Sequence, residues 1–127
     1  MLIDDNFNDN FFHERAIKKV NNGITVIAKT SGSDALEYLS SQYNKEDQAP
    51  DLIFLDINMP RMNGWDFLEK YLLLAEEARE VPPVIMLSTS ENPHDIERMK
   101  SFNIISDYYS KPLTKEKMED IQEKHFQ

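Results

Sequence analysis

The stretch DLIFLDINMPRMNGWDFL, residues 51–68, is the most informative part of the sequence for both fold and function. Its first part is an apolar run that ends at Asp56, which is typical of a strand buried on both faces of a parallel sheet. Asparagine, methionine, proline and glycine then interrupt the pattern, and apolar residues return at helical spacing from Trp65. The stretch therefore predicts a buried strand that presents a carboxylate to a loop, followed by a helix.

The rest of the chain repeats this alternation of short apolar runs and longer amphipathic segments. Five strands and five helices predict an α/β, doubly wound (βα)5 flavodoxin-like fold, a three-layer sandwich around a parallel sheet with right-handed crossovers. The other predicted strands are MLID, ITVIAK, VIMLS and DYYSK, and the predicted helices cover about 8–20, 31–43, 64–79, 92–102 and 114 to the C-terminus.

Composition limits the classes of partner. The 127 residues suit one domain, 1–127, and we expect no separate output domain. A net charge of −9 argues against binding to nucleic acid or to anionic membranes, because both require clustered basic residues. No apolar run is long enough to span a membrane. The absence of cysteine favours a cytoplasmic protein.

Polar side chains stand at the ends of four of the five predicted strands. In an open parallel sheet, ligands bind beyond the carboxyl ends of the strands. Carboxylates, a hydroxyl and an ammonium are therefore expected to meet in one crevice. The residues concerned are Asp4, Asp5, Asp56, Ser88, Thr89 and Lys111.

The expected proximity of Asp5 and Asp56 implies a bound cation or proton. Two like charges about 4 Å apart repel by about 4 kcal/mol at an effective dielectric constant of 20. Oxygen ligands without clustered histidine or cysteine favour a hard cation, and an open site of this kind suits Mg²⁺. The histidines, His13, His94 and His125, are scattered among the helices, and we interpret them as surface residues.

A carboxylate beside Mg²⁺ can also act as a nucleophile toward phosphorus and form an aspartyl phosphate. Such a reaction gains from a metal, a cation and a hydroxyl donor on the phosphoryl oxygens. Asp5 with Mg²⁺, Lys111 and Ser88 fit these needs. In the loop, the Asn58 carbonyl is placed to bind the metal, and Gly64 permits either close packing or an unusual backbone angle.

Four ordered motifs resemble the receiver domain of two-component response regulators over essentially the whole chain. They are IDD at 3–5, LDINMPRMNGWDFL at 55–68, IMLSTS at 85–90 and YYSKPL at 108–113. The resemblance implies the strand order 2-1-3-4-5 of the chemotaxis receiver. It also implies a cis peptide bond between Lys111 and Pro112.

The resemblance assigns the phosphorylation chemistry residue by residue. Asp56 would accept a phosphoryl group from a sensor histidine kinase or a histidine phosphotransfer protein. Asp5 and Asp56 would bind Mg²⁺ with the backbone carbonyl of Asn58, and Asp4 would act through water or by orienting other groups. Lys111 would bind the phosphoryl group.

The resemblance also implies a switch that an unknown downstream protein reads. Ser88 would be the switch hydroxyl, with Thr89 as the alternative, and Tyr108 the switch aromatic. Asn58 and Ser90 would tune autodephosphorylation. Together the switch residues would remodel the face of the fourth helix, fifth strand and fifth helix, in a monomer or a phosphorylation-dependent dimer.

Two departures from the family pattern bear on the sheet. Only three residues precede Asp4, so the first strand is short, and NIISDYY makes the turn before the fifth strand one residue longer.

Three other functions compete with this interpretation. An aspartyl-nucleophile phosphatase needs a second aspartate two residues after the first, where Asn58 stands. A phosphorylation-independent adaptor has no need of the acidic pair and the lysine. A flavin-binding domain needs a phosphate loop rich in Ser, Thr and Gly after the first strand, and none is present.

Overall fold

A computed structural model describes residues 1–41, 50–75, 82–89 and 92–125. Strands and helices alternate along these residues. No helix in this part of the chain combines the length and the apolar character that a membrane span requires. The elements are β1 Leu2–Ile3, α1 Phe7–Val20, β2 Ala28–Lys29, α2 Gly32–Ser41, β3 Ile53–Leu55, α3 Gly64–Ala75, β4 Val84–Ser88, α4 Pro93–Lys100, β5 Ile105–Ser110 and α5 Lys115–His125.

The sheet is parallel throughout, with the strand order β2-β1-β3-β4-β5. Leu2 of β1 pairs with Ala28 on one side and with Phe54 on the other, so β1 is an interior strand next to the central strand β3. The predicted doubly wound, flavodoxin-like fold is confirmed. All five carboxyl ends therefore meet at one edge of the sheet.

Two apolar cores cover the two faces of the sheet, because successive strand residues point to opposite sides. Leu2, Phe54, Ile85 and Leu87 face α1 and α5, where they pack in a cluster with Ala16, Ile17, Met118 and Ile121. The alternate residues, among them Ile3, Leu55 and Met86, pack in a second cluster with α2, α3 and α4, around Ala35, Phe67, Leu68 and Met99. The result is the predicted three-layer arrangement.

Polar side chains begin the helices where the sequence predicts them. The Ser31 hydroxyl accepts a hydrogen bond from the backbone N–H of Asp34 at 3.1 Å, at the start of α2. Asn92 caps α4 ahead of Pro93, and Thr114 caps α5. The predicted ends near 43 and 79 lie outside the described residues.

The sheet differs from the prediction at two strands. The predicted second strand, 24–29, is reduced to Ala28–Lys29, because β1 supplies only Leu2 and Ile3 as partners. The longer turn before β5 is accommodated by a shift of register: Val84 pairs with Ile105, but Ile85 pairs with Asp107. The extra residue thus forms an irregularity of the bulge type and leaves the rest of the strand in register.

Helix α1 also differs from the prediction. The apolar spacing in the predicted helix 8–20 puts Phe12 on one face with Ala16, Ile17 and Val20, but the Phe12 side chain is 59% exposed. The buried side chains of α1 are Asn10, His13, Ala16 and Ile17. Ala16 and Ile17 belong both to the face that contains Phe12 and to the neighbouring face that contains Asn10 and His13. The second of these faces is the one that packs against the sheet.

Gly64 provides a test of the packing between α3 and the end of β3. A Cβ atom at this position would lie 2.7 Å from the Asp56 carbonyl oxygen and 2.9 Å from the Ile57 Cα, so close packing is the reason for glycine. We expect Gly64→Ala to lower the free energy of unfolding by about 1–3 kcal/mol, because backbone must move. Urea unfolding of the wild type and the variant measures this change in the free energy of unfolding. Gly23→Ala is the control, since its Cβ would meet only the Asn21 side chain, and equal midpoints for the two variants would contradict the prediction.

Candidate functional site

The ends of β1 and β3 bring three carboxylates together at the sheet edge. Asp4, Asp5 and Asp56 each offer a carboxylate oxygen, and these oxygens lie within 4.8 Å of one another. Asp4 and Asp56 are buried, whereas Asp5 is exposed. The site therefore combines two desolvated carboxylates with one that faces solvent.

Lys111, directly after β5, supplies the compensating positive charge. Its Nζ lies 2.5 Å from Asp4 Oδ2, 3.1 Å from Asp9 Oδ2 and 3.4 Å from Asp56 Oδ2. Its backbone N–H donates to the Ser88 carbonyl at 3.0 Å, which fixes the end of β5 against β4. The predicted cis peptide bond after Lys111 is present.

The pKa values of Asp56 and Lys111 are both raised, but for different physical reasons. Burial raises the pKa of Asp56 to about 6; Lys111 opposes this rise and Asp4 adds to it. For Lys111, burial disfavours the charged form, but the hydrogen bond to Asp4 and the charge of Asp56 outweigh it and raise the pKa. At neutral pH the site therefore holds a firmly charged ammonium and a carboxylate whose ionisation is costly.

The loop after β3 is held at both ends. The backbone N–H of Asn58 donates to the Asp56 carboxylate. At the other end, Asn63 and Asp66 exchange hydrogen bonds between side chain and backbone at the start of α3, as in a capping box. Arg61, between them, has a φ of 66°, a left-handed conformation that is strained for a residue other than glycine.

The candidate switch residues lie on β4 and β5. Ser88 is the last residue of β4 and is buried, whereas Thr89 is exposed. Tyr108 pairs with Met86 across the two strands and is 45% exposed. Ser90 lies outside the described residues.

Three residues of α1 join the site although none was predicted to do so. Asp9 contacts Lys111. Asn10 donates through Nδ2 to the carbonyls of Asp4, at 3.0 Å, and Lys29, at 3.2 Å, and so ties the acidic end of β1 to β2. Its buried Oδ1 has no hydrogen-bond partner in the described structure. A small cavity beneath the carboxylates is lined by Asn10, His13 and Asp56, among others.

The interpretation of His13 as a surface residue is wrong. Its exposed fraction is 2%, and burial, followed by the nearby charge of Lys111, lowers its pKa. His94 is exposed, and His125 is half-buried, 3.6 Å from Asp107. A signal for His13 was present in the sequence, because its spacing to Ala16 and Ile17 places the three residues on one helical face.

The side chains present fit a hard divalent cation. Asp4, Asp5 and Asp56 offer only oxygen ligands, and carboxylate sites of this kind suit Mg²⁺ or Mn²⁺. Asp9 adds a fourth negative charge nearby, against the single ammonium of Lys111. A cation would relieve the excess of negative charge.

Comparison with known proteins agrees with this geometry. The family profile described as the response regulator receiver domain matches residues 1–123. PilG of Pseudomonas aeruginosa is 35% identical over 119 residues, which cover 93% of this chain and 79% of PilG. A two-component response regulator of Cytophaga hutchinsonii superposes with a TM-score of 0.82 at 28% identity, covering 97% of this chain and 92% of the other. The Mn²⁺-bound form of response regulator Rcp1 has a TM-score of 0.66 at 26% identity, with coverages of 96% and 87%.

The raised pKa of Asp56 predicts a pH-dependent effect of removing its charge. Since the native pKa of about 6 exceeds the ordinary value of 3.8, the native state binds the proton more tightly, and stability is lost as pH rises through about 6. We expect metal-free Asp56→Asn to be more stable than the wild type near pH 7.5, by about 1–3 kcal/mol. This gain should vanish below about pH 4, where the wild-type carboxyl is neutral in both states.

Urea unfolding in a chelating buffer at several pH values measures this difference. Glu37→Gln is the control, because Glu37 is an exposed acidic residue on α2, away from the site. A stabilisation of Asp56→Asn that stays constant from acid to neutral pH would contradict the electrostatic explanation.

Proposed function

Because the chain belongs to the response regulator receiver family of two-component signalling, we propose that it is switched by phosphorylation of Asp56. The observation that carries the proposal is the placement of this carboxylate. It stands at the end of β3, 3.4 Å from the Lys111 ammonium and beside Asp4 and Asp5. A nucleophile, a fixed cation and a candidate metal site are thus within reach of one phosphoryl group.

The proposed donor is the phosphohistidine of a sensor histidine kinase or a histidine phosphotransfer protein. An oxygen of Asp56 attacks phosphorus, the bond between phosphorus and the donor nitrogen breaks, and the phosphoryl group moves to Asp56. The other ring nitrogen of the phosphohistidine carries a proton, so the ring leaves as neutral imidazole and no further proton transfer is needed. Asp5 and Asp56, with the Asn58 carbonyl, would hold Mg²⁺, and Asp4 would orient this set. When bound, the ion supplies neutralisation of the phosphoryl oxygens.

Lys111 is proposed to stabilise the transferred group. Its side chain is only 12% exposed, and its raised pKa keeps it charged at neutral pH. The ammonium is already positioned before the reaction, so little reorganisation is needed as negative charge moves onto the phosphoryl oxygens. The backbone hydrogen bond from Lys111 to the Ser88 carbonyl fixes the strand end that carries this side chain.

The output is proposed to be a change of the face formed by α4, β5 and α5, read by a downstream protein. Ser88, buried at the end of β4, would move toward the phosphoryl group. Tyr108 is 45% exposed in this structure and would turn inward. A ligand shifts such an equilibrium only by its difference in affinity for the two states, and a few kcal/mol suffice. The size of the phosphorylated protein in solution decides between a monomer and a phosphorylation-dependent dimer.

Phosphorylation itself is tested by intact mass. Incubation with a small acyl phosphate and Mg²⁺ should add one phosphoryl group to the wild type, because the site contains the nucleophile and its cations. Asp56→Asn should gain none, and omission of Mg²⁺ should reduce the gain by about tenfold or more. Asp51→Asn, with the same loss of charge at an exposed site, should react like the wild type. A wild type that binds Mg²⁺ but gains no mass would favour the phosphorylation-independent adaptor.

The switch hydroxyl is tested by comparing Ser88→Ala with Thr89→Ala. Since Ser88 is buried at the strand end and Thr89 is exposed, we expect the first variant to lose about tenfold in phosphorylation rate, which corresponds to one hydrogen bond of about 1.4 kcal/mol. Thr89→Ala should stay within about twofold of the wild type. A phosphoryl analogue should shift the amide signals of residues 92–125 in the wild type and in Thr89→Ala, but much less in Ser88→Ala. A larger loss of rate and of amide shifts in Thr89→Ala than in Ser88→Ala would assign the switch hydroxyl to Thr89.

A further inference from the structure

Asp9 stands out because it contacts the site lysine from outside the four receiver motifs. It lies in the first turn of α1, four residues after Asp5, and its backbone N–H donates to the Asn6 cap at 3.1 Å. Its Oδ2 lies 3.1 Å from Lys111 Nζ. The lysine is therefore shared among carboxylates of β1, β3 and α1.

The three carboxylates around Lys111 differ in exposure. The side chains of Asp4 and Asp56 are 5% and 7% exposed, but that of Asp9 is 37% exposed. An ammonium has three N–H donors, and three carboxylates surround this one. If Asp4 or Asp56 lost its contact with Lys111, a buried carboxylate would be left without a compensating charge. Asp9 can replace the same contact with water at small cost, because it is partly exposed.

We propose that Asp9 sets the preference of this site between cations and anions. Its negative charge strengthens the attraction for Mg²⁺. The same charge neutralises part of the positive charge of Lys111 and so weakens the attraction between this lysine and a phosphoryl group on Asp56. The proposal rests on the proposed function and adds a regulator of it: the helix residue limits how strongly the site retains the phosphoryl group.

The same contact also affects the geometry of the lysine. Asp9 draws the ammonium toward the first turn of α1, while a phosphoryl group on Asp56 would attract it toward β3. A phosphoryl group carries nearly two negative charges at neutral pH, so it competes with Asp9 for the same donor. Removal of the Asp9 charge leaves Lys111 with fewer competing acceptors.

The test is the substitution Asp9→Asn, which removes the charge at nearly constant size. Two affinities are measured by calorimetry: that for Mg²⁺ alone, and that for beryllium fluoride, a phosphoryl mimic, at saturating Mg²⁺. We expect the Mg²⁺ affinity to fall about threefold and the beryllium fluoride affinity to rise about threefold, as for a partly exposed ion pair. Asp9→Glu, which restores the charge, should return both affinities toward wild type.

Asp34→Asn is the matched control, because Asp34 is an exposed acidic residue in the first turn of α2. It loses the same charge at the same helical position, and neither affinity should change by more than about 1.5-fold. A thermal melt of each variant reports any loss of stability.

The opposite signs of the two effects distinguish this role from a structural one. If Asp9 only supported the fold, both affinities would fall together, and that outcome overturns the proposal. Unchanged affinities in Asp9→Asn also overturn it. If the wild type binds Mg²⁺ but no beryllium fluoride, the proposed function and the anion part of the proposal both fail. The Mg²⁺ measurement then still decides the cation part.

Discussion

The ion cluster of Lys111 with Asp4 and Asp56 is the constraint on which the site depends. Two buried carboxylates beside each other are unfavourable, and the ammonium at 2.5 and 3.4 Å compensates them. Removing Lys111 would typically cost about 3–5 kcal/mol, because it would leave two buried carboxylates without a compensating charge. The compensation is incomplete here, since the pKa of Asp56 remains raised to about 6. The unphosphorylated site thus keeps an excess of negative charge that favours a divalent cation.

The sheet determines which side chains enter this cluster. Asp4 follows β1 and Asp56 follows β3, two adjacent interior strands, while Lys111 reaches in from β5 at the edge. The strand residues below them alternate between two apolar cores, so a shift of one residue would move each side chain to the opposite face. Packing at Gly64, where no Cβ fits against the backbone of Asp56, fixes the position of Asp56 from the other side. The chemistry of the site therefore rests on apolar packing some distance from it.

Much of this arrangement could be predicted from the sequence, for a physical reason. Apolar runs, helix caps and strand ends are local signals, and the parallel topology then brings distant strand ends together, as with Asp56 and Lys111. Properties that depend on contacts between elements were missed. The length of β2 is set by what β1 offers, and the burial of His13 is set by the sheet beneath α1. Asp9 looks like an ordinary first-turn acidic residue until the structure shows that Lys111 reaches it.

Helix α1 connects these observations, because it contributes to the site from one side over two turns. Asn10 binds the backbone of both β1 and β2, so any movement of the acidic loop is coupled to the edge of the sheet. Asp9 acts on the charge of Lys111 from the same helix. A phosphoryl group on Asp56 would add negative charge where Lys111 is already shared, so the lysine must redistribute its contacts. The free-energy difference between the unmodified and the phosphorylated state would then depend on how much it costs each carboxylate to lose its contact with Lys111. That cost is lowest for Asp9, the most exposed of the three.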